Sequence, residues 1–252
     1  MIRYELKGGV AYLTMEHPPL NVLNLDMLGV LNRLLDEIAA ENKANVVVIR
    51  SGIAKGFSAG VDVADHVPEH VHQMLTSFHR AVRLLDRWNR VSIAQVHGVC
   101  LGGGAELAFA CDLVVAGESA DFGFPEIDLG CFPPVAAATL PNRIGWHAAA
   151  EFVLTGRRFG AIEARQRGLV NAAAPDAELE KLTEDYARAL EAKSPAVLRI
   201  TRRAMRESRE VPFAQALWSC EEIYREQLLP TEDAKEGVRA YLEKRKPRWS
   251  GK

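Results

Sequence analysis

The chain of 252 residues has little cysteine, no excess charge of either sign and no long apolar run. Its four cysteines, Cys100, Cys111, Cys131 and Cys220, lie far apart, with no C-x-x-C pair and no histidines at zinc spacing. That spacing argues against a disulfide framework or a zinc module and leaves reduced thiols as the expectation. Lys and Arg number 31 against 33 Asp and Glu, so there is no basic footprint for nucleic acid, and a charged ligand has to be met by local groups. No apolar stretch approaches the roughly 20 residues of a membrane helix. The opening MIRYELKGGVAYLTMEH has neither an apolar leader core nor an Arg-rich presequence. The expectation is a soluble, cytoplasmic protein without a membrane or nucleic-acid partner.

What is present is an alternation of short β-branched runs and helical periods. IRYEL and VAYLTME, joined by KGG, read as a hairpin. Asn24 is placed to cap a helix over 25–40, whose apolar face is Leu25, Leu28, Leu31, Leu35 and Ile38. Strands are expected at 46–50 (VVVIR), 92–96 (SIAQV) and 112–117 (DLVVAG), a helix at 71–89, and mostly helix from 146 to 245 with one strand near LVNAA. The fold-class inference is α/β, with a helical C-terminal region.

Three consecutive glycines interrupt this pattern in VHGVCLGGGAELAFACD, where a strand hands over to a helix. A dinucleotide fingerprint starting at Gly102 fails because Leu107 stands where its last glycine belongs. A phosphate loop starting at Gly98 fails because Gly104 replaces its lysine. Two readings are left. One is tight strand–helix packing, which accounts for one glycine more easily than three. The other is an oxyanion site, where free N–H groups at a helix start point at developing negative charge.

Glu106 follows Gly103 by three residues, on the same helical face. Glu126, in FGFPEIDLG, sits behind a proline suited to the first position of a short helix. Two carboxylates at one reactive centre suit paired acid–base chemistry, one taking a proton from water and the other giving one to carbon. GFSAG at 56–60 also spells a G-x-S-x-G nucleophile elbow. Five residues separate it from the preceding strand and Pro68 follows closely, which disfavours a hydrolase.

Taken together, PPLNVLNLDM, GFSAGVD, VHGVCLGGGAELAFACD, FGFPEIDLG, LTGRRFGAIEARQRGLVN and TEDAKEGVRAYLEKRKPRW resemble the crotonase, or enoyl-CoA hydratase/isomerase, superfamily from about residue 2 to 249. The resemblance implies a spiral of ββα turns over 1–195 and a helical C-terminal region over 196–252 used in trimerisation, with homotrimers or hexamers. It implies an oxyanion hole made by the N–H groups of Val61 and Gly103 for a CoA thioester carbonyl. Glu106 would activate water and Glu126 would protonate the α-carbon; keeping both favours a hydratase over a double-bond isomerase. Lys55, Ala59, Val61, Asp62, Val63, Ala64, Gly103 and Lys244 match CoA- and substrate-binding positions. Ala64 stands where many members carry lysine. No metal or redox cofactor is implied, because CoA arrives with the substrate.

One segment departs from that pattern. GCFPPVAAATLP occupies a place where common hydratases carry a glycine-rich run, which puts Phe132 and Pro134 at the acyl pocket and implies a non-standard acyl group. FPPVA with PPLNVLN looks like the cyclohexa-1,5-diene-1-carbonyl-CoA hydratases of anaerobic aromatic degradation. An RNA-binding or catalytically silent member of the fold is the alternative from another class, and the neutral charge and the presence of both glutamates speak against it.

Overall fold

The computed structural model describes residues 1–41 and 43–252. The hairpin forms as read: β1 (Ile2–Lys7) pairs antiparallel with β2 (Val10–Met15) around Gly8, whose φ of +59° suits the tight turn. Helix α1 (Leu25–Glu41) starts where expected, with the Asn24 side chain accepting from Met27 N at 2.9 Å. Then β3 (Val46–Ser51) and β4 (Gly56–Ser58) lead through a 3-10 turn at Val63–His66 into α2 (Val71–Arg87). A second round follows as β5 (Val91–Val96), β6 (Val99–Leu101) and α3 (Gly103–Ala110). A third begins with β7 (Leu113–Gly117), β8 (Asp121–Gly123) and a 3-10 turn at Pro125–Leu129. It continues through α4 (Pro134–Ile144), α5 (Trp146–Thr155), β9 (Phe159–Gly160), α6 (Ala161–Gln166) and β10 (Ala172–Ala174).

In each round the first strand joins one sheet and the second joins another. The larger sheet runs β1-β2-β3-β5-β7-β10, and the smaller runs β4-β6-β8-β9. This is the ββα spiral that the family resemblance implies. The strands of the larger sheet are the β-branched runs legible in the sequence. The smaller sheet carried no periodic signal, because its strands are two or three residues long and three of the four carry glycine.

Helices α7 (Asp176–Glu191), α8 (Pro195–Glu207), α9 (Phe213–Ile223) and α10 (Glu232–Leu242) complete the chain, a π-helical turn at Tyr224–Leu228 separating the last two. Arg202 on α8 ties this region to the spiral. Its Nε donates to both Asp112 carboxylate oxygens at 2.8 Å, and its remaining nitrogens donate to the carbonyls of Leu85, Asp86 and Trp88 at the end of α2. Among the described residues, no helix is long and apolar enough to cross a membrane.

Candidate active site

The loop after β4 and the start of α3 meet at one corner of the smaller sheet. Three backbone hydrogen bonds to residues 20–23 hold that loop in place. Ala59 N donates to Leu20 O at 2.9 Å, Leu23 N to Gly60 O at 2.8 Å, and Asp62 N to Leu23 O at 3.4 Å. Asn21 is fully buried at a φ of +49°, and its side chain donates to Ser51 Oγ and to Phe57 O at 2.8 and 3.0 Å. Residues 20–23 of the PPLNVLN motif therefore serve as the backstop of the loop. Ser58 belongs to the same scaffold: its hydroxyl donates to Asn21 O at 2.7 Å and accepts from Gly60 N at 3.1 Å. A fully buried serine bonded only to backbone is no nucleophile, which closes the elbow reading.

Each of the three glycines answers to a different neighbour. Gly102 has a φ of +50°, and a Cβ there would lie 2.7 Å from Glu126 Oε1. A Cβ on Gly103 would lie 2.7 Å from Val61 Cγ2 and 3.3 Å from Val61 N. One on Gly104 would lie 2.6 Å from the Ser58 carbonyl oxygen. Gly104 is thus the close-packing glycine, while Gly102 and Gly103 keep open the corner between Val61 and Glu126. Among the described residues, neither Val61 N nor Gly103 N donates a hydrogen bond to the protein. Two free N–H groups side by side at a helix start suit a developing oxyanion. Gly104→Ala is expected to cost about 1–3 kcal/mol, since its methyl strikes fixed backbone rather than a movable side chain. Thermal unfolding measures this, and an unchanged midpoint would show that α3 slides freely on β4.

The two glutamates converge on the same corner. Glu106, on α3, is 4 % exposed, and its Oε1 accepts from Ala136 N at 2.9 Å, in the first turn of α4. Burial raises its pKa to about 7; the N–H groups of Ala136 and Val135 oppose that rise and the Glu126 charge adds to it. Pro125 does occupy the first position of its 3-10 turn, with Glu126 following in that turn. Burial also raises the Glu126 pKa, against its own backbone N–H and the charge of His66. Glu126 Oε2 is buried with no hydrogen-bond partner among the described residues. The pair thus has one carboxyl oxygen anchored to a helix start and another left free.

The remaining expected site residues are more scattered. Asp62 caps the 3-10 turn by accepting from Ala64 N at 3.0 Å, with Val63 and Ala64 exposed beside it and Ala59 half-buried. Lys55 is exposed, and its carbonyl accepts from Val99 N. Lys244 is exposed behind α10, which packs on α8. Pro134 opens α4 and is half-buried, whereas Phe132 is 62 % exposed. Phe78 on α2, whose ring would lie 3.4 Å from a Cβ on Gly103, carried no sequence signal beyond helical period, and neither did the α4 amides that hold Glu106.

Comparison with known proteins agrees with this architecture. The enoyl-CoA hydratase/isomerase family profile matches residues 5–252. A 2,3-dehydroadipyl-CoA hydratase of Escherichia coli is 36 % identical over 250 residues, 96 % of each chain. A cyclohexa-1,5-dienecarbonyl-CoA hydratase of Thauera aromatica is 34 % identical over 251 residues, covering 98 % of this chain and 95 % of the relative. The crystal structure of an enoyl-CoA hydratase from Bacillus anthracis superposes with a TM-score of 0.95 at 30 % identity, covering 100 % of this chain and 99 % of that one.

Proposed function

The chain belongs to the enoyl-CoA hydratase/isomerase family, and from that premise we propose that it adds water across the conjugated double bond of an enoyl- or dienoyl-CoA thioester. By family it is a lyase of the enoyl-CoA hydratase type. The observation that carries the mechanistic reading is the convergence of Glu106 and Glu126 on a corner that also presents two unused N–H groups.

In that reading the thioester oxygen accepts from Val61 N and Gly103 N, which stabilise the enolate as charge moves onto it. Ionised Glu106 takes a proton from water as the water oxygen bonds to the β-carbon. Protonated Glu126 gives a proton to the α-carbon. Burial bears on both roles, because it raises the pKa of each carboxyl above its ordinary value. Exposed Lys55 and Lys244 are our candidates for the CoA phosphates, with Ala59 and Asp62–Ala64 along the path of the pantetheine and adenine.

The pH dependence follows with a definite sign. Below about 7 Glu106 gains a proton and the base is lost. The profile of kcat/KM is expected to fall on the acid side, with that limb turning near pH 7. A rate flat from pH 5 to 9 would remove the two-carboxyl mechanism.

For the acyl group we favour a cyclic dienoyl thioester, because Pro133 and Pro134 start the helix whose next amides hold Glu106, a proline-built wall beside the reacting carbons. The deciding experiment is mass spectrometry of crotonyl-CoA, 2,3-dehydroadipyl-CoA and cyclohexa-1,5-diene-1-carbonyl-CoA after incubation with the protein in deuterated water. A product heavier by one deuterated water supports hydration, and the fastest substrate sets the acyl class. Deuterium uptake without added water would mean isomerase or proton-exchange chemistry instead.

We also infer self-association through the C-terminal helices. Phe213, Trp218, Tyr241 and Leu242 are 80, 58, 83 and 73 % exposed, apolar surface of the kind that subunit contacts cover. Light scattering is expected to give three or six times the chain mass.

A further inference from the structure

The backbone of Gly60 decides where the Val61 N–H points. A trans peptide holds its C=O and N–H on opposite sides of one plane. The Gly60 carbonyl oxygen accepts from Leu23 N at 2.8 Å, so the Val61 N–H of the same peptide faces away from Leu23. Gly60 has a φ of +101°, and a Cβ there would lie 3.0 Å from Leu101 O and 3.3 Å from Gly103 N. Glycine alone brings the loop so near the second donor, and its freedom means that its neighbours must fix it. Ser58 holds the peptide on the other side. Its fully buried hydroxyl accepts from Gly60 N at 3.1 Å and donates to Asn21 O at 2.7 Å. Asn21 is itself anchored: its N donates to His17 O at 2.8 Å, and its Oδ1 accepts from His17 N at 2.7 Å. Its Nδ2 donates to Ser51 Oγ at 2.8 Å and to Phe57 O at 3.0 Å. The Gly103 N–H needs no such side chains, because the Gly102 carbonyl of its peptide accepts from Glu106 N at 2.9 Å.

We propose that Ser58 and Asn21 are positioning residues for the oxyanion hole, locking Gly60 so that the Val61 N–H stays aimed at the corner beside the Gly103 N–H. This rests on the reading of those two N–H groups as donors to the thioester oxygen. Both side chains are fully buried behind the loop and bond to the protein, so they act through Gly60 and not on the substrate. What they supply is preorganisation, since a donor already aimed needs no reorientation as charge develops. Without the Ser58 hydroxyl, Gly60 N and Asn21 O lose their partner and the glycine regains its freedom. The bond from Val61 N then weakens most where the charge on oxygen is greatest, which is in the enolate. The loss therefore falls on kcat and spares KM.

The first test needs no turnover. Butyryl-CoA labelled with carbon-13 at the thioester carbonyl is saturated and cannot be hydrated, and difference infrared spectroscopy reads its C=O stretch when bound. The wild type is expected to lower that frequency below the free value, and Ser58→Ala to move it back toward the free value. An unmoved frequency in Ser58→Ala overturns the proposal and leaves the oxyanion hole standing. No lowering in the wild type overturns both. The second test is kinetic, with whichever thioester the wild type hydrates. Ser58→Ala is expected to lower kcat about 10- to 100-fold with KM little changed. An unchanged kcat, or a loss confined to KM, overturns the positioning role. Should Ser58→Ala fail to fold, Ser58→Cys decides, because its thiol fills the site but bonds weakly. Its frequency and kcat are expected to fall short of the wild type, and wild-type values for both overturn the proposal. If the frequency responds to Ser58 but the wild type hydrates no thioester, the proposed reaction fails while the positioning of Val61 N stands.

Discussion

Glu126→Gln is expected to abolish hydration, and Glu106→Gln to lower it by about two to four orders of magnitude, the usual range for losing a positioned acid or base. The asymmetry has a structural cause. A glutamine at 126 cannot give a proton to carbon. A glutamine at 106 still accepts from Ala136 N and still orients water, so residual turnover survives. Steady-state kinetics on the preferred thioester measure both. Normal hydration by Glu106→Gln would overturn the two-glutamate mechanism.

The same Glu106→Gln change is expected to stabilise the fold. The folded pKa of Glu106, about 7, lies above its ordinary 4.5, so the folded state binds more protons than the unfolded one between those values. Stability therefore falls as pH rises through that window, and the deficit is fully present above it. A neutral amide removes a penalty on the order of 2–3 kcal/mol at pH 8.5, and much less at pH 5. Unfolding midpoints at the two pH values measure this. An equal effect at both would mean that the Glu106 carboxylate is not penalised by burial.

Arg202→Ala is expected to be the most damaging single change outside the active site, at about 3–5 kcal/mol. The guanidinium and Asp112 are 10 and 18 % exposed, so removing the cation leaves a poorly solvated carboxylate. Asp112 keeps Ser92 N at 2.8 Å and Ser92 Oγ at 2.9 Å, which are its only other partners among the described residues. The loss also strips the carbonyls of Leu85, Asp86 and Trp88 of their donor, and with it the C-terminal cap of α2. Arg202→Lys is not a rescue, because one ammonium cannot span a carboxylate and three carbonyls. Urea midpoints at fixed protein concentration should show the loss, and limited proteolysis should show earlier cleavage between α7 and α8. A midpoint within experimental scatter of the wild type would mean that α8 is held by packing alone.

Much of this protein was legible before any coordinates. Apolar alternation and β-branched runs marked the strands of the larger sheet, because five- and six-residue strands are long enough for burial to impose a pattern. Asn24 and Pro125 marked helix starts through chemistry confined to a few neighbouring residues. The glycine triplet, the two glutamates and their order pointed to the family and to the chemistry. Only the tertiary structure decided what those residues face. It separated the packing glycine from the two that keep the corner open, turned Ser58 from candidate nucleophile into scaffold, and left Phe132 exposed. It also joined Glu106 to an amide 30 residues away. The physical reason is one of range. Period and capping act through adjacent residues and leave a trace in the sequence, whereas desolvation, pKa and the freedom of an N–H group depend on what the rest of the chain packs around them.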